Sequence, residues 1–370
     1  MSVRSFPKFI FIVYVFLLLG ACSSTPTAPK KLLVTKTEKI TLASLPTVKT
    51  FDHTAGQTMT SLPVYAQCQI QVGLKINPVT GLHLATDDTS KRVLMCAAEA
   101  VKNKANVLIL PELSLSYPQP LRDKIIQKLK TIAKQHDMVI IAGSYYDENR
   151  YSRTPIIGKN WMELGYKIRP SFYEASPRNG LGMRQGKYLT VVKTKYGKIM
   201  PLICVDLISD AVNYQIRRLA AEHKIDVLAN INYNPAAWEF LLEANSIVRR
   251  HPIFATVTNV SSVFGQKKRC IKSGDNGLCG GNTGVIANIR NNDLACPNCD
   301  SILQEYLPRN FLLKGHKRLA YDNVVATIPP IKQGLLVYKL NLNLKRIPLA
   351  ANAPDQGYPP VSDLKFVSLN

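Results

Sequence analysis

The chain has 370 residues, 46% of them hydrophobic, and a formal net charge of +22. This length is enough for one large α/β domain with a substantial core. So large a basic excess often indicates nucleic-acid binding, but no DNA- or RNA-binding motif is found and the first residues predict export, so we exclude nucleic acid. Anionic lipid headgroups or cell-envelope polymers are the expected partners, and a basic surface without a dedicated partner fits equally well.

The N-terminal residues have the pattern of a secretory signal. Arg4 and Lys8 flank the start of an unbroken apolar run over residues 9–19, which is too short to span a bilayer with ease. The Leu-Gly-Ala-Cys sequence that ends at Cys22 resembles a bacterial lipobox. The resemblance implies removal of residues 1–21 and lipidation of Cys22, which would hold the protein at a membrane surface. Because Ser23 stands where an inner-membrane retention signal has Asp, we expect an outer-membrane lipoprotein facing the periplasm.

Composition divides the rest of the chain into three parts. Residues 22–60 are rich in Ser, Thr, Pro and Lys without a sustained period, which predicts a flexible tether. Residues 61–345 are predicted as a single folded domain. Residues 346–370 are proline-rich and lack a core pattern, which predicts an extension that wraps the surface or frays.

Strand and helix patterns alternate through the predicted domain. Residues 68–74 alternate apolar and polar, and residues 107–110 and 138–142 are short apolar runs typical of buried strands. A helix capped by Thr89 or Ser90 is predicted between the first two, and a helix carrying Ile125 and Leu129 between the second two. Later strands are predicted at residues 226–231, 253–258, 285–289, 324–328 and 335–340, and loops at 147–154 and 267–282. This order is typical of an α/β fold.

One strand delivers a cysteine to a turn. Residues 199–203 form an apolar run that predicts a buried strand, and Cys204 follows it directly. Ser209 or Asp210 then caps a helix with Val212 and Ile216 on its apolar face. Ligands and chemistry in such sheets gather at the carboxyl ends of strands, so Cys204 is a candidate nucleophile. A buried structural thiol is the alternative.

Two further polar residues follow apolar segments. Glu112 comes just after residues 107–110, where a carboxylate is costly unless it has a task, and Lys167 follows another short apolar segment. A thiol needs a neighbouring base to take its proton, and attack on an amide carbonyl produces an oxyanion that an ammonium and a backbone N–H can hold. The three residue types therefore fit acyl transfer through a thioester.

In the order of their motifs the three residues resemble the nitrilase, or carbon–nitrogen hydrolase, superfamily. The principal motifs are Leu110-Pro111-Glu112-Leu113, Tyr166-Lys167-Ile168-Arg169-Pro170 and Ile203-Cys204-Val205-Asp206. The minor ones are Ala142-Gly143-Ser144, Val257-Thr258-Asn259 and Gly280-Gly281-Asn282-Thr283-Gly284.

The resemblance implies a four-layer α-β-β-α sandwich in a single domain. It also implies that Glu112 is the general base, Lys167 the oxyanion partner and Cys204 the nucleophile, with the Val205 backbone N–H completing the oxyanion site. The family uses a second glutamate to position its lysine. Glu174 fits that place, with Glu163 as the weaker choice and a solvated loop carboxylate as the alternative.

The sequence departs from the family pattern around the substrate. Val205 replaces a frequent aromatic residue, and Arg249 and Arg250 stand where many members carry an acid. Candidate substrate-binding residues are Tyr145, Tyr233, Asn234 and Trp238, although an aromatic side chain there is as often packing as contact.

The remaining cysteines predict structural cross-links. In an oxidising envelope disulfides are the default, and the candidates are Cys270, Cys279, Cys296 and Cys299, with the pairing left open. A four-thiolate zinc site is the alternative for these four, and the histidines show no ligand spacing. Cys68 and Cys96 are predicted either as buried thiols or as a disulfide. The resemblance implies no cofactor and no catalytic metal.

These features predict a lipid-anchored hydrolase of a small-molecule, non-peptide amide. N-acyl transfer from the same thioester is an enzymatic alternative, although the acyltransferases of this superfamily carry membrane helices that are not found here. A catalytically silent binding or scaffold lipoprotein is the alternative from another class. The family often assembles, so a homo-oligomer is also left open.

Overall fold

A computed structural model describes residues 45–175, 181–262, 280–288, 323–343 and 360–369 of the chain. The strands in chain order are β1 (Thr47–Asp52), β2 (Val64–Gln69), β3 (Leu74–Ile76), β4 (His83–Ala85), β5 (Val107–Ile109), β6 (Val139–Ile141), β7 (Tyr145–Tyr146), β8 (Ser152–Ile157), β9 (Met162–Tyr166), β10 (Tyr188–Thr194), β11 (Gly197–Ile203), β12 (Val227–Ile231), β13 (Phe254–Thr258), β14 (Thr283–Ile286), β15 (Val324–Ile328), β16 (Gly334–Leu340) and β17 (Val361–Ser368). The helices are α1 (Asp87–Lys102), α2 (Gln119–His136), α3 (Phe172–Ala175), α4 (Asp210–Ala221) and α5 (Ala237–Val248).

The described strands form two large mixed sheets and one small hairpin. The first sheet has the order β1-β10-β11-β12-β13-β14-β15, with β11, β12 and β13 parallel at its centre. The second has the order β17-β16-β2-β5-β6-β8-β7, with β2, β5 and β6 parallel and β9 paired to β8. Parallel strands need helical crossovers that cover the faces of the sheet, which explains the alternation of short apolar strands with helices.

The two sheets pack face to face, with helices on their outer faces. Along β5 and the residue after it, Val107 and Ile109 point into the cluster between the sheets, while Leu108 and Leu110 point into the cluster beneath α1 and α2. Burying a side chain of this size contributes about 1.5–3 kcal/mol. Helices α4 and α5 pack their apolar faces on the other sheet. The layers are therefore α, β, β and α, as predicted.

A buried glutamine ties the sheets together. The Gln67 Nε2 atom donates to the carbonyl oxygens of Val257 and Gly284, each at 3.1 Å, and to Thr258 Oγ1 at 3.0 Å. Its Oε1 atom accepts the Tyr338 hydroxyl at 2.8 Å. A fully satisfied buried polar group of this kind fixes one register between the sheets.

Cys68 and Cys96 form a disulfide that links β2 to α1. This resolves the choice that the sequence left open for the pair. The other predicted disulfide candidates, Cys270, Cys279, Cys296 and Cys299, lie outside the described residues, as do residues 1–44 with the signal and the lipidation site Cys22.

Several predictions about loops and ends are wrong in part. Residues 47–52, predicted as tether, form β1 and pair in parallel with β10. Residues 152–154, predicted as loop, begin β8, and the predicted C-terminal extension contains β17, which pairs with β16. Each of these segments is polar or only half-buried along one side, so its apolar content is too low to indicate a strand without the sheet it joins.

Two helix starts were predicted close to their observed positions. Helix α4 begins at Asp210 after the N-cap residue Ser209, as expected, whereas α1 begins earlier than predicted, with Thr86 at its N-cap. Among the helices described, none has the length and apolar content that crossing a bilayer requires.

Candidate active site

Glu112 lies in a rigid turn that follows β5. Leu113 takes a left-handed backbone conformation with φ of 62°, and its N–H donates to Ser144 Oγ at 3.0 Å. Gly143, with φ of 75°, lies so close that a Cβ atom there would stand 1.9 Å from Ser114 Oγ. Non-glycine residues adopt such a conformation only when the surroundings enforce it. The Glu112 side chain is buried, and its Oε2 atom accepts the backbone N–H of Tyr233 at 2.8 Å.

Lys167 joins two carboxylates in the interior. Its Nζ atom lies 2.8 Å from Glu112 Oε1 and 2.7 Å from Glu174 Oε2, and only 1% of its side chain is exposed. Its backbone N–H donates to the carbonyl of Ser152 at 2.9 Å, which continues the pairing of β8 with β9. A buried ammonium is stable only when paired and hydrogen-bonded, so the two glutamates are a condition for its burial.

The second carboxylate is Glu174 rather than Glu163. Glu174 lies in α3, where its Oε1 atom accepts the Tyr146 hydroxyl at 2.6 Å and its Oε2 atom accepts the Ser171 N–H at 2.8 Å. Glu163 instead lies 3.2 Å from His53 Nε2. The structure therefore brings Glu112, Lys167 and Glu174 into direct contact.

Cys204 ends β11 in a strained turn. Its φ of 51° is left-handed, and a 3-10 turn over Cys204–Asp206 follows before α4. Its carbonyl accepts Asn230 Nδ2 at 3.2 Å, and its thiol is the free, buried cysteine of the described residues. A strained strand-to-helix turn of this kind presents a nucleophile at a sheet edge. The charges that act on the thiol are those of Glu112, Lys167 and Glu174, and the Asn234 side chain acts to lower its pKa.

The pKa values of the two glutamates in this cluster are shifted in opposite directions. Burial raises the pKa of Glu112, against the lowering effect of the Lys167 charge. Burial also acts to raise the pKa of Glu174, but the Lys167 charge and the hydrogen bonds from Lys167, Tyr146 and Ser171 outweigh it and leave this pKa below its usual value. Environments that push the pKa values of two carboxyls apart separate their acid–base roles. The two buried carboxyls therefore differ in acidity, with the pKa of Glu112 above and that of Glu174 below the usual value.

Lys167 is charged at rest, whereas Cys204 is neutral. Burial alone would lower the pKa of Lys167, but the charges of Glu112 and Glu174 raise it well above its usual value, so the lysine is an ammonium. Burial raises the pKa of Cys204 well above its usual value, and the Glu112 charge adds to the effect. The resting cysteine is therefore a neutral thiol, which needs a base before it can attack.

Asp206 was not predicted as a site residue. It lies fully buried two residues after Cys204, and its carboxylate accepts the backbone N–H groups of Ile168 at 3.0 Å and Arg169 at 2.8 Å. Tyr146 was also missed, although it is the residue next to the predicted Tyr145. The signal for Asp206 was its place in the Ile203-Cys204-Val205-Asp206 motif, which identifies no partner by itself.

The predicted substrate-binding residues lie in different environments. Tyr145 packs beneath the Arg122 guanidinium, 4.3 Å from its ring centre, and its role in substrate binding stays a prediction. Tyr233 follows β12 and contacts Glu112 through its backbone, and the Asn234 side chain acts to lower the pKa of the Cys204 thiol. Trp238 lies half-buried in the first turn of α5, and the described contacts do not join it to Lys167.

A paired asparagine holds the segment after β12. Asn259 Oδ1 accepts the Asn234 N–H at 3.1 Å, and Asn259 Nδ2 donates to the carbonyls of Asn234 at 2.8 Å and Gly281 at 2.9 Å. Arg249 and Arg250 are exposed at the C-terminal end of α5, away from these contacts. In the described ranges no set of three or more His, Cys, Asp and Glu residues has the arrangement of a metal site.

The Val205 backbone N–H, predicted to complete an oxyanion site, lies in the 3-10 turn directly after Cys204. Within the described residues it donates to no backbone or side-chain acceptor, whereas the Val205 carbonyl accepts the Ile208 N–H at 3.2 Å.

Comparison with known proteins gives one family and one fold. A family model described as carbon–nitrogen hydrolase matches residues 66–270, and no curated protein matches the chain. Nit3 of Saccharomyces cerevisiae, a member of branch 10 of the nitrilase superfamily, has a TM-score of 0.51 at 13% identity, covering 78% of this chain and 93% of that one. The XC1258 protein of Xanthomonas campestris, a CN-hydrolase superfamily protein with an arsenic adduct in its active site, has a TM-score of 0.51 at 13% identity, covering 76% and 91%.

An amidase from Nesterenkonia sp. AN1 is a third structure of this kind. A mutant of it carries the acetamide moiety of fluoroacetamide on the active-site cysteine, and it has a TM-score of 0.51 at 13% identity, covering 77% of this chain and 93% of that one. At this identity the likeness concerns the fold. The predicted mixed α/β, single-domain nitrilase-like fold is confirmed.

Proposed function

The chain belongs to the carbon–nitrogen hydrolase family, and on that premise we propose that it hydrolyses a non-peptide amide through a thioester on Cys204. The observation that carries the proposal is the buried Lys167 ammonium, which two carboxylates hold beside a thiol at the end of a strand. A binding or scaffold protein on this fold has no need of a buried cation, two buried anions and a strained cysteine in one place. The Nesterenkonia amidase supports a nucleophilic cysteine by analogy, because the active-site cysteine of its mutant carries the acetamide moiety of fluoroacetamide.

The first step uses Glu112 as general base. Glu112 accepts the Cys204 proton while the sulfur bonds to the amide carbonyl carbon, and the carbonyl π electrons move onto oxygen. Because its pKa is raised, the Cys204 thiol needs such a base to lose its proton. The raised pKa of Glu112 makes its carboxylate a stronger proton acceptor. Glu174 keeps its charge throughout and holds the Lys167 ammonium in place.

The second step stabilises the oxyanion and releases the amine. The Lys167 ammonium and the Val205 N–H bind the negative oxygen, and loss of one such donor typically costs about 3 kcal/mol of barrier. Glu112 then returns its proton to the nitrogen, the C–N bond breaks, and the amine leaves a thioester on Cys204. Water gives its proton to Glu112 and attacks the thioester; the C–S bond breaks, the carboxylic acid leaves and Glu112 reprotonates the sulfur.

Intact-mass spectrometry tests the thioester. After exposure of the protein to a panel of short aliphatic amides, we expect an adduct of acyl mass on the wild type and none on Cys204→Ala. Released amine should rise with the same substrates. Folded wild-type protein that forms no adduct and releases no amine with any donor would favour the scaffold function.

Added hydroxylamine separates hydrolysis from acyl transfer. If water is the natural acceptor, amine release should proceed at the same rate without a nucleophile, and hydroxylamine should only divert part of the product to hydroxamate. If turnover requires an added amine, the enzyme is an N-acyltransferase, and the hydrolytic proposal is wrong.

We further propose that Cys22 carries a lipid and tethers the domain to the periplasmic face of the outer membrane, with the membrane surface as its partner. The support is the lipobox-like sequence alone. Metabolic labelling with palmitate should mark the wild type and not Cys22→Ser. Ser23→Asp should move the labelled protein to the inner-membrane fraction, and unlabelled, membrane-free wild type would contradict the anchor.

A further inference from the structure

Three consecutive backbone N–H groups fix the segment that carries Lys167. The Lys167 N–H donates to the Ser152 carbonyl at 2.9 Å, which ties it to β8. The next two N–H groups, of Ile168 and Arg169, donate to the Asp206 carboxylate at 2.8–3.0 Å. Asp206 belongs to the same 3-10 turn as Cys204. One side chain therefore connects the backbone of the lysine segment to the turn that holds the nucleophile.

We propose that Asp206 is a positioning residue that sets the Lys167 ammonium at its working distance from the Cys204 sulfur. The proposal rests on the proposed function and deepens it, since it names a group that acts through Lys167 and does not touch the substrate. Rate enhancement by a preorganised donor depends on its placement before the reaction begins. Loss of the link should therefore lower kcat more than it raises KM.

The link needs a carboxylate and not merely a polar side chain. The Ile168 N–H is shared between both Asp206 oxygens, while the Arg169 N–H uses Oδ1. An ionised carboxylate only accepts hydrogen bonds, whereas an amide or a protonated carboxyl turns a donor toward one of these N–H groups. The Asn variant therefore tests the charge while it keeps the shape.

The charge state of Asp206 changes in the neutral range. Burial raises its pKa to about 7, although the two N–H groups and the Lys167 charge act to lower it. The charged groups that face it are Lys167 and Glu174, the latter acting to raise the pKa. Protonation below this pKa places an O–H among N–H donors, so the link weakens as the pH falls through 7.

The chain offers a matched control at the other end of β11. Asp226 is likewise buried, and its Oδ2 atom accepts the Lys198 N–H at 2.9 Å. Asp226 lies directly before β12 and contacts the first residues of β11, whereas Cys204 follows the last residue of β11. Asp226→Asn makes the same chemical change to a buried aspartate that accepts a backbone N–H without a connection to Lys167.

The test uses the full chain and two readouts. The first is kcat and KM for an amide that the wild type hydrolyses. The second is the rate of Cys204 alkylation by iodoacetamide between pH 5.5 and 9, measured on the Cys204 peptide by mass spectrometry. We expect Asp206→Asn to lower kcat about 10- to 100-fold, as lost outer supports of active groups typically do, with KM within about threefold, and to flatten the alkylation profile near pH 7. Asp226→Asn should match the wild type in both readouts.

Three outcomes would overturn the proposal. They are a folded Asp206→Asn protein with wild-type kcat and alkylation profile, an equal loss in Asp226→Asn, or a loss confined to KM. If the wild type turns over no amide, the proposed function fails, but the alkylation profile still decides the role of Asp206. If Asp206→Asn does not fold, hydrogen exchange on the wild type replaces it. The Ile168 and Arg169 amides should then be less protected at pH 6 than at pH 8, and equal protection would contradict the link.

Discussion

Each end of β11 has a residue with a positive φ and a buried aspartate that accepts backbone N–H groups, but only the carboxyl end belongs to the candidate site. At the amino end, Gly197 takes a φ of 120° and Asp226 accepts the Lys198 N–H. At the carboxyl end, Cys204 takes a φ of 51° and Asp206 accepts two N–H groups. Glycine adopts a positive φ without steric cost, whereas cysteine does so at about 1–3 kcal/mol. Strain and buried charge therefore coincide where a reactive group is needed, and the amino end shows the same strand built without that requirement.

The largest expected difference between the ends comes from removing the cation. Lys167→Met leaves Glu112 and Glu174 buried and facing each other, and breaking a buried ion pair costs about 3–5 kcal/mol. Activity should fall about 1,000-fold or more, because a donor to the oxyanion is lost as well. Urea unfolding should show that the stability deficit shrinks as the pH falls, because the lysine charge that lowers the pKa values of both glutamates is gone and the buried carboxylates then take up protons more readily. A matched change at the amino end, Lys198→Met, removes only an exposed bond from Nζ to the His223 carbonyl and should cost less than about 1 kcal/mol.

The next largest effect expected is the pH dependence of the free energy of unfolding that Asp206 causes. The folded-state pKa of Asp206, about 7, lies above its ordinary value of 3.8. Between these values the folded protein keeps a proton that the unfolded chain releases, so the contribution of Asp206 to the free energy of unfolding falls as pH rises. The slope is at most about 1.4 kcal/mol per pH unit.

Urea unfolding at pH 5, 6, 7 and 8 measures this slope. Asp206→Asn should gain stability relative to the wild type as the pH rises through this range. A curve for Asp206→Asn that runs parallel to the wild type would contradict the assignment. The residue that we expect to position the lysine is thus destabilising in the charged state in which it works.

Exchanging glycine for a larger residue, and the reverse, should sharpen the comparison of backbone strain. Gly197→Ala should cost about 1–3 kcal/mol with kcat unchanged, because its φ of 120° is unfavourable for any side chain. Cys204→Gly and Cys204→Ala should both be inactive, but the glycine variant should be the more stable by about 1 kcal/mol. This reverses the usual ranking of alanine over glycine. If Cys204→Ala is the more stable, the turn at Cys204 is not strained.

The smallest loss of kcat among the variants that should lose activity is expected at the support of Glu174. Tyr146→Phe removes the hydroxyl that Glu174 Oε1 accepts at 2.6 Å, at a cost of about 1.5–3 kcal/mol for a bond to a charged group. Part of this is recovered because Lys167 and Ser171 still bind the carboxylate. We expect kcat to fall about five- to tenfold, whereas Tyr145→Phe, which keeps the ring beneath Arg122, should leave kcat unchanged. Equal effects of the two variants would mean that the hydroxyl of Tyr146 has no special role.

The sequence predicts the principal residues of the site because each follows an apolar strand within a motif. Glu112, Lys167 and Cys204 could be selected in this way, and so could the central strands and helices α2 and α4. A two-residue strand such as β7 has too short an alternation to show from sequence whether Tyr145 or Tyr146 faces the site. The role of Asp206 depends on the distant residues Ile168 and Arg169, and β1 depends on pairing with β10. No local sequence pattern specifies either partner.

The disulfide between Cys68 and Cys96 bears on how the nucleophile survives. Surroundings that join two thiols also contain oxidants such as peroxide, and these react with thiolates far faster than with thiols. Cys204 is buried and its raised pKa keeps it protonated, and in the proposed mechanism Glu112 removes its proton only when a substrate carbonyl is bound. The burial that keeps the Cys204 sulfur unreactive at rest thus also protects it from oxidation to sulfenic acid. One chain can therefore contain both a disulfide and a reduced cysteine.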